Sequence, residues 1–496
     1  MTRGSSFTAP ASEPDTASVP PTGATLNVRR GSVASAVGIL VLTHLMFVVD
    51  TSIVNVALPD IGRAMGFSSA GLSWVVTAYA LTFGGLIMLS GKVGSTIGRR
   101  RALVLGVTVF VIASLAGGFA TSAWLLVAAR AVQGAGAAVA APSVMVLLVG
   151  MTAPGPQRSR AMAMFVLATG TGAAVGLLAG GVLTQTLGWR WVMFVNAPIG
   201  VLALLGALRH LPETERRRTS SDVGGAAASF VAMVALVLAF TSAAERGWTS
   251  PSVLGAFAVA VISLVVLVVW ERRHPHPVVP PAFFSTLRSA GPLLTMLLVP
   301  AGQVGFLFFT TLLTQQVLGF SPIRTGLALV PFTLGLIVTN QLTPRLLPRW
   351  GERVIGSAGL SGLVLGIAWM ALVAADAGPD TSVIPVLLPS VLLGAGAGAT
   401  FAPVTAVIMH QAPAEHLGAA AGLTQGLQQL GGAMGLAVLT SVLAATGGLD
   451  HGLGTTLLAT AAFPLTGLAL FGLWARRIPA PDTTPARPLP IVRKSV

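Results

Sequence analysis

Fourteen apolar runs, each long enough to cross a lipid bilayer as a helix, follow one another between residues 33 and 474. They lie at 33–58, 71–91, 102–121, 124–149, 161–184, 191–208, 224–243, 252–270, 291–317, 323–343, 354–374, 383–408, 419–444 and 454–474. A helix needs about 20 apolar residues to span the hydrocarbon core, and a strand only about 9–11. In lipid every backbone N–H and C=O must be paired within the protein, so runs of this length fold as helices. The sequence thus predicts an all-α integral membrane protein with 14 transmembrane helices. The chain is 54% hydrophobic and 9% charged, against about 25% charged in a soluble protein.

The net charge of +14 raises the question of an anionic partner. With the N-terminus placed in the cytoplasm, most Lys and Arg fall on inward segments. Arg63, Arg190, Arg246 and Arg324 fall outside, and Arg130 sits within a run. This bias orients a multi-pass protein in the cell (plasma or inner) membrane with both termini cytoplasmic, and it gives no reason to invoke nucleic acid. Residues 1–32, rich in Pro, Ser and Thr, are expected to form a disordered cytoplasmic tail without a cleavable signal. Residues 475–496, with Arg476, Arg477, Arg487, Arg493 and Lys494, form the second tail. Cysteine is absent, which excludes disulfides and thiolate metal sites; no metal or other cofactor is expected.

Two stretches repeat. Gly172, Gly176 and Gly180 recur as Gly418, Gly422 and Gly426, in each case four residues apart. That spacing lines small residues along one helix face and admits a second backbone. The inward loop GKVGSTIGRRR (91–101) has a weaker counterpart in Arg345, Arg349, Gly351 and Arg353. Both matches divide the chain into two six-helix bundles, 33–209 and 290–474, with two inserted helices in a 210–289 linker.

Polar residues inside the runs carry the functional signal. An aspartate at the centre of a membrane helix costs about 2.5–3.5 kcal/mol on insertion scales and is usually functional. In FVVDTSIVNVALPD (47–60), Asp50 shares an arc of roughly 140° with Thr43, His44, Phe47, Thr51 and Asn55. Leu45, Met46, Val49, Ile53, Val56 and Ala57 take the other side. Asp50 is therefore a candidate proton site or a structural hydrogen-bonding group. Arg130 shares a face with Gln133, Gly134, Ala137 and Ala138, and a buried guanidinium needs an acceptor, for which Asp50 is the obvious acid. The competing role for Arg130 is bonding to carbonyls or snorkelling. His44 is a candidate proton relay or a structural histidine. Gln303, Gln315, Gln316, Asn340, Gln425, Gln428 and Gln429 are candidates to line a cavity or bridge helices, and Trp189-Arg190-Trp191 to anchor at an interface.

No HExxH, GxSxG or pair of carboxylates within one run is present, so enzyme chemistry is not expected. The GKV at 91–93 lacks both the upstream glycine, with Leu at 86, and the Ser/Thr of a phosphate loop. Energy for any transport must then come from a gradient.

These motifs together resemble the fourteen-span drug:proton antiporters of the major facilitator superfamily, over about residues 35–475. DTSIVNVALP (50–59) is similar to the first-helix signature, GKVGSTIGRRR to the loop motif and RAVQGAGAA (130–138) to the fourth-helix arginine motif. WRWVMFVNAPIG (189–200), LPET (211–214) and GAAAGLTQGLQQLGGAMG (418–435) match as well. The resemblance implies a major facilitator fold arranged 6 + 2 + 6, with Asp50 as coupling acid assisted by Arg130. Gly91, Ser95, Gly98, Arg99 and Arg100 would then serve gating, and Gly172, Gly176 and Gly180 the antiporter helix. Three positions depart from the family pattern: Ser95 replaces an acid, Leu177 a proline, and Gln428-Gln429 an Arg-Gln pair.

The expected activity is export of lipophilic or amphipathic small molecules by alternating access, driven by protons entering at Asp50. The expected protein is a monomer whose cavity is lined by Thr51, Asn55, Gln133, Gln303, Gln315, Asn340 and Gln425. A narrow facilitator or uptake transporter, or a transport-inactive receptor or assembly subunit, is the alternative. No Asp or Glu lies within the last six runs, which points to neutral or monovalent substrates.

Overall fold

The computed structural model describes residues 30–153, 155–214, 223–273, 287–376, 382–411 and 417–475. The two tails lie outside these, except that residues 30–32 and 475 are helical. Among the described residues every regular element is a helix. In order they are α1 (Arg30–Met65), α2 (Ser69–Ile97), α3 (Arg99–Gly118), α4 (Ala123–Met151) and α5 (Pro156–Thr186). Then come the short α6 (Arg190–Phe194), α7 (Asn196–His210), α8 (Val223–Arg246), α9 (Pro251–Arg273) and α10 (Leu287–Leu312), the last running into a π-helical turn at Leu313–Val317. The chain closes with α11 (Pro322–Ala375), α12 (Ile384–Gln411), α13 (Leu417–Ala445), the single turn α14 (Gly448–His451) and α15 (Leu453–Ala475).

Helix starts follow local chemistry. Ser68 Oγ accepts the N–H of Gly71 to open α2, and Ser321 Oγ does the same for Arg324 with Pro322 as first residue of α11. Among the described residues eleven helices are long and apolar enough to cross a membrane, and the expected count of fourteen is not shown on that measure. Two further expected runs lie within helices of 29 and 24 residues, α2 and α8, of which Gly71–Ile87 and Ala227–Phe240 are the apolar stretches described throughout. Two more are joined in α11, whose 54 residues would extend about 80 Å, against about 30 Å of hydrocarbon. Gly351 breaks that helix with φ 73° and ψ 163°, a conformation that other residues adopt at a steric cost.

Close packing follows the glycines. A Cβ on Gly176 would stand 2.7 Å from Ser52 Cβ and 2.9 Å from Val49 O, and one on Gly180 2.7 Å from Ile53 O. The α5 stripe thus seats on α1. In α13 the equivalent approach, onto Leu297 and Ala301 of α10, is made by Gly431 and Gly435. The surroundings of Gly418 and Gly422 lie outside the described residues. The α5 and α11 backbones also meet, with Gly181 against Pro322 O and Gly326 against Leu177 O, each 2.6 Å from the built Cβ.

The apolar cores divide the molecule unevenly. One core takes in Val33–Phe47 positions of α1 with Leu103, Phe110, Val144, Leu148 and Ala207, all from α1–α7. The other joins the opposite ends of those helices, through Ile53, Leu72, Leu126, Leu177 and Met193, to α10–α15. The first helices therefore share a core with the later ones at the end where α1 finishes, and keep a separate one at the end where it starts. The inserted α8 and α9 pack on each other through Phe240, Phe257 and the intervening Trp248, and α8 packs through Met233 and Val237 on Leu81 of α2 and Ala433 of α13. Trp189 does not anchor at an interface as expected: it is buried, with the Arg190 guanidinium over its ring, whereas Arg190 and Trp191 are exposed.

Candidate functional site

Asp50 lies in the middle of α1, fully buried, on the side turned away from the α5-facing residues Leu45, Val48 and Ser52. Helical geometry aims it at α4 and α7. Its Oδ2 accepts Arg130 Nη1 at 2.6 Å, and its Oδ1 accepts Asn196 Nδ2 at 2.7 Å and Gln133 Nε2 at 3.3 Å. Three donors on one carboxylate are the bonding pattern of the ionised acid.

Each partner is itself held. Arg130 Nε donates to Val75 O at 2.9 Å, Nη1 reaches Gln133 Oε1 at 3.0 Å, and the guanidinium lies 4.6 Å from the Tyr79 ring centroid. Gln133 Nε2 donates to Ser114 Oγ at 2.6 Å, whose own proton goes to Phe110 O at 2.8 Å. Gly134 brings α4 against the Tyr79 carbonyl of α2, which is why this arginine reaches Val75. The network joins α1, α2, α3, α4 and α7 at one level. One acid and one base sit in it, so the buried charge is balanced.

The remaining sequence candidates fall elsewhere. The polar stripe of α1 is not one surface. Thr51 donates to Val48 O and Asn55 to Thr51 O, both within the helix. His44 does not join the acid: its Nε2 bonds Thr169 Oγ1 at 2.8 Å, and its ring stacks on Phe165 with centroids 3.8 Å apart. Gln133, expected to line a cavity, is fully buried in the Asp50 network. Gln315, on the π turn, donates to Val56 O of α1 at 2.8 Å, a direct tie between early and late helices. Gln303, Asn340 and Gln425 are half-buried.

The loop motif is clasped by the segment after α7. Gly98 has φ +100°, and the Glu213 carboxylate occupies the place a side chain there would take. Thr214 Oγ1 accepts the Arg99 N–H at 2.9 Å, Arg101 pairs with Glu213 at 3.4 Å, and Arg100 donates to Leu208 O. Gly91 and Ser95 lie in the last turns of α2, and the side chain of Ser95 is outside the described set.

Asn196, Ser114, Tyr79, Glu213 and Thr214 escaped the reading of candidate site residues. Asn196 and Glu213 stand inside matched motifs, and the signal was there as an amide within an apolar run and an acid beside basic loop residues.

Three comparisons bear on this architecture. Residues 40–436 match the model of the Major Facilitator Superfamily. The chain is 37% identical to a puromycin resistance protein of Streptomyces alboniger, over 82% of this chain and 80% of that one. It is also 37% identical to a cephamycin export protein of Amycolatopsis lactamdurans, over 91% and 93%. A solved POT family transporter superposes with a TM-score of 0.69 at 13% identity, over 90% of this chain and 100% of that one, a likeness of fold alone. The chain belongs to the Major Facilitator Superfamily.

Proposed function

We propose that this protein is a proton-coupled exporter of lipophilic or amphipathic small molecules of the antibiotic type. The observation that carries the reading is the closed Asp50–Arg130 pair. Protonating Asp50 leaves Arg130 without a counter-charge, and separating a buried pair costs about 3–5 kcal/mol. A proton falling through 100 mV supplies about 2.3 kcal/mol, the same order, so charge at this site can drive a rearrangement. Relatives named for antibiotic resistance and export support the substrate class and the direction.

In this reading the chain crosses the cell membrane fourteen times with both termini in the cytoplasm, Gly351 separating two crossings within α11. Helices 33–209 and 290–474 form the two moving bundles, the 210–289 linker carries the inserted pair, and the protein works as a monomer. The core shared by both bundles then lies on the outer side, so the structure is closed outward. Acids between residues 290 and 474 are Glu352, Asp376, Asp380, Glu415 and Asp450, all between apolar runs, which favours neutral or monovalent substrates.

The test uses everted membrane vesicles with an acidified interior and a panel of lipophilic antibiotics. Compounds that are substrates release protons from wild-type vesicles, and Asp50→Asn abolishes the release while the protein remains inserted. Release that persists undiminished in Asp50→Asn would falsify coupling through this acid.

A further inference from the structure

We infer that Asn196 is the positioning residue that reads the protonation state of Asp50, by turning its side-chain amide. The inference rests on the proposed coupling role of Asp50. Asn196 is fully buried as the first residue of α7. Its Nδ2 donates to Asp50 Oδ1 at 2.7 Å, while its Oδ1 is buried with no hydrogen-bond partner among the described residues. The amide therefore shows the acid its donor side and holds its acceptor side idle, the orientation an ionised carboxylate demands.

A proton arriving at Asp50 makes one O–H bond on a carboxylate oxygen and turns a pure acceptor into a donor. Arg130 and Gln133 cannot answer it alike. Arg130 has no acceptor atom, and Gln133 faces the acid with its Nε2, which also holds Ser114, while its Oε1 is turned to Arg130 Nη1 at 3.0 Å. Asn196 can. Rotation of its amide gives up the Nδ2–H···Oδ1 bond and forms an O–H···Oδ1 bond from the neutral acid, with no covalent change in the asparagine. The idle carbonyl is exchanged for an idle NH2, so the number of bonds to the acid is kept. Arg130 meanwhile retains Gln133 Oε1, Val75 O and the Tyr79 face. The network thus has two bonding patterns, each keeping three hydrogen bonds on the acid and one idle end of Asn196, that differ in the orientation of one amide.

The chain has four asparagines, Asn27, Asn55, Asn196 and Asn340, which makes the amide directly observable. Full-length protein in lipid nanodiscs, labelled with 15N on asparagine side chains, gives few enough signals to follow individually across a pH series. The signal lost in Asn196→Ser is that of Asn196; should that variant not fold, elimination through variants of the other three assigns it. The expected result is a resolved shift of the Asn196 amide in wild type, with a midpoint matching Asp50-dependent proton release, and no shift in Asp50→Asn. An unmoving Asn196 signal, with Asp50-dependent proton release intact, overturns this proposal alone. Proton release that does not depend on Asp50 overturns the coupling reading and this proposal with it.

Discussion

An arginine side chain has no neutral form available in a folded protein, whereas a carboxylate becomes neutral by taking a proton. Removing one partner therefore has unequal consequences. Asp50→Asn strands a guanidinium in a site with 0% exposure on the acid side, and Arg130→Gln leaves a carboxylate that neutralises itself. Thermal unfolding in detergent is expected to rank Arg130→Gln as more stable than Asp50→Asn. The double variant should recover part of the loss, as the cost of an uncompensated buried charge, about 3–5 kcal/mol, disappears. Equal losses in both single variants would mean that the pair is solvated and its charge unimportant. Part of this site was legible: Asp50 was the obvious acid for Arg130, with carbonyl bonding or snorkelling as the competing role, whereas Gln133 was expected to line a cavity. Asn196 was not legible, because an amide 146 residues away in sequence gives no sign of which acid it faces. The angular argument for α1 grouped His44 with Asp50, but the neighbouring helices split that arc, α5 taking one part and α4 with α7 the other.

At the level of elements, the α5 stripe shows why glycine spacing could be read and its partner could not. Period four declares a thin face; only packing shows that the face meets α1, through backbone atoms of Val49 and Ile53. Gly180→Ala should destabilise the protein by about 1–3 kcal/mol, since a methyl group there meets backbone that cannot move aside. Gly38→Ala and Gly150→Ala, where nothing lies within 4 Å of the added carbon, should leave the unfolding temperature unchanged or slightly raised. Similar losses at all three positions would remove close packing as the reason for the stripe. Helix ends were legible to within a few residues where Ser, Pro or Gly marked them. The two runs expected at 323–343 and 354–374 were legible too, since Gly351, with its non-helical φ of 73°, kinks α11 between them.

For the whole molecule, the division into two bundles was suggested by the repeat, whereas the one-sided core is a property of a particular conformation, which sequence periodicity does not encode. Residues on the joined side meet where Ile323 N–H approaches Gln185 Oε1 at 3.4 Å. Since the chain has no cysteine, Gln185→Cys with Ile323→Cys can be bridged selectively by a short cleavable thiol reagent. Bridging should arrest export and cleavage should restore it; full transport in the bridged protein would show that this side never parts. The clasp at Gly98 adds a mechanical consequence. Glu213 and Thr214 fasten the chain leaving α7 to the turn between α2 and α3, so the start of α3 and the end of α7 are laced together, like a purse with a drawn string. A force on the turn between α2 and α3 is thereby passed straight to Glu213 and Thr214, where the described segment after α7 ends.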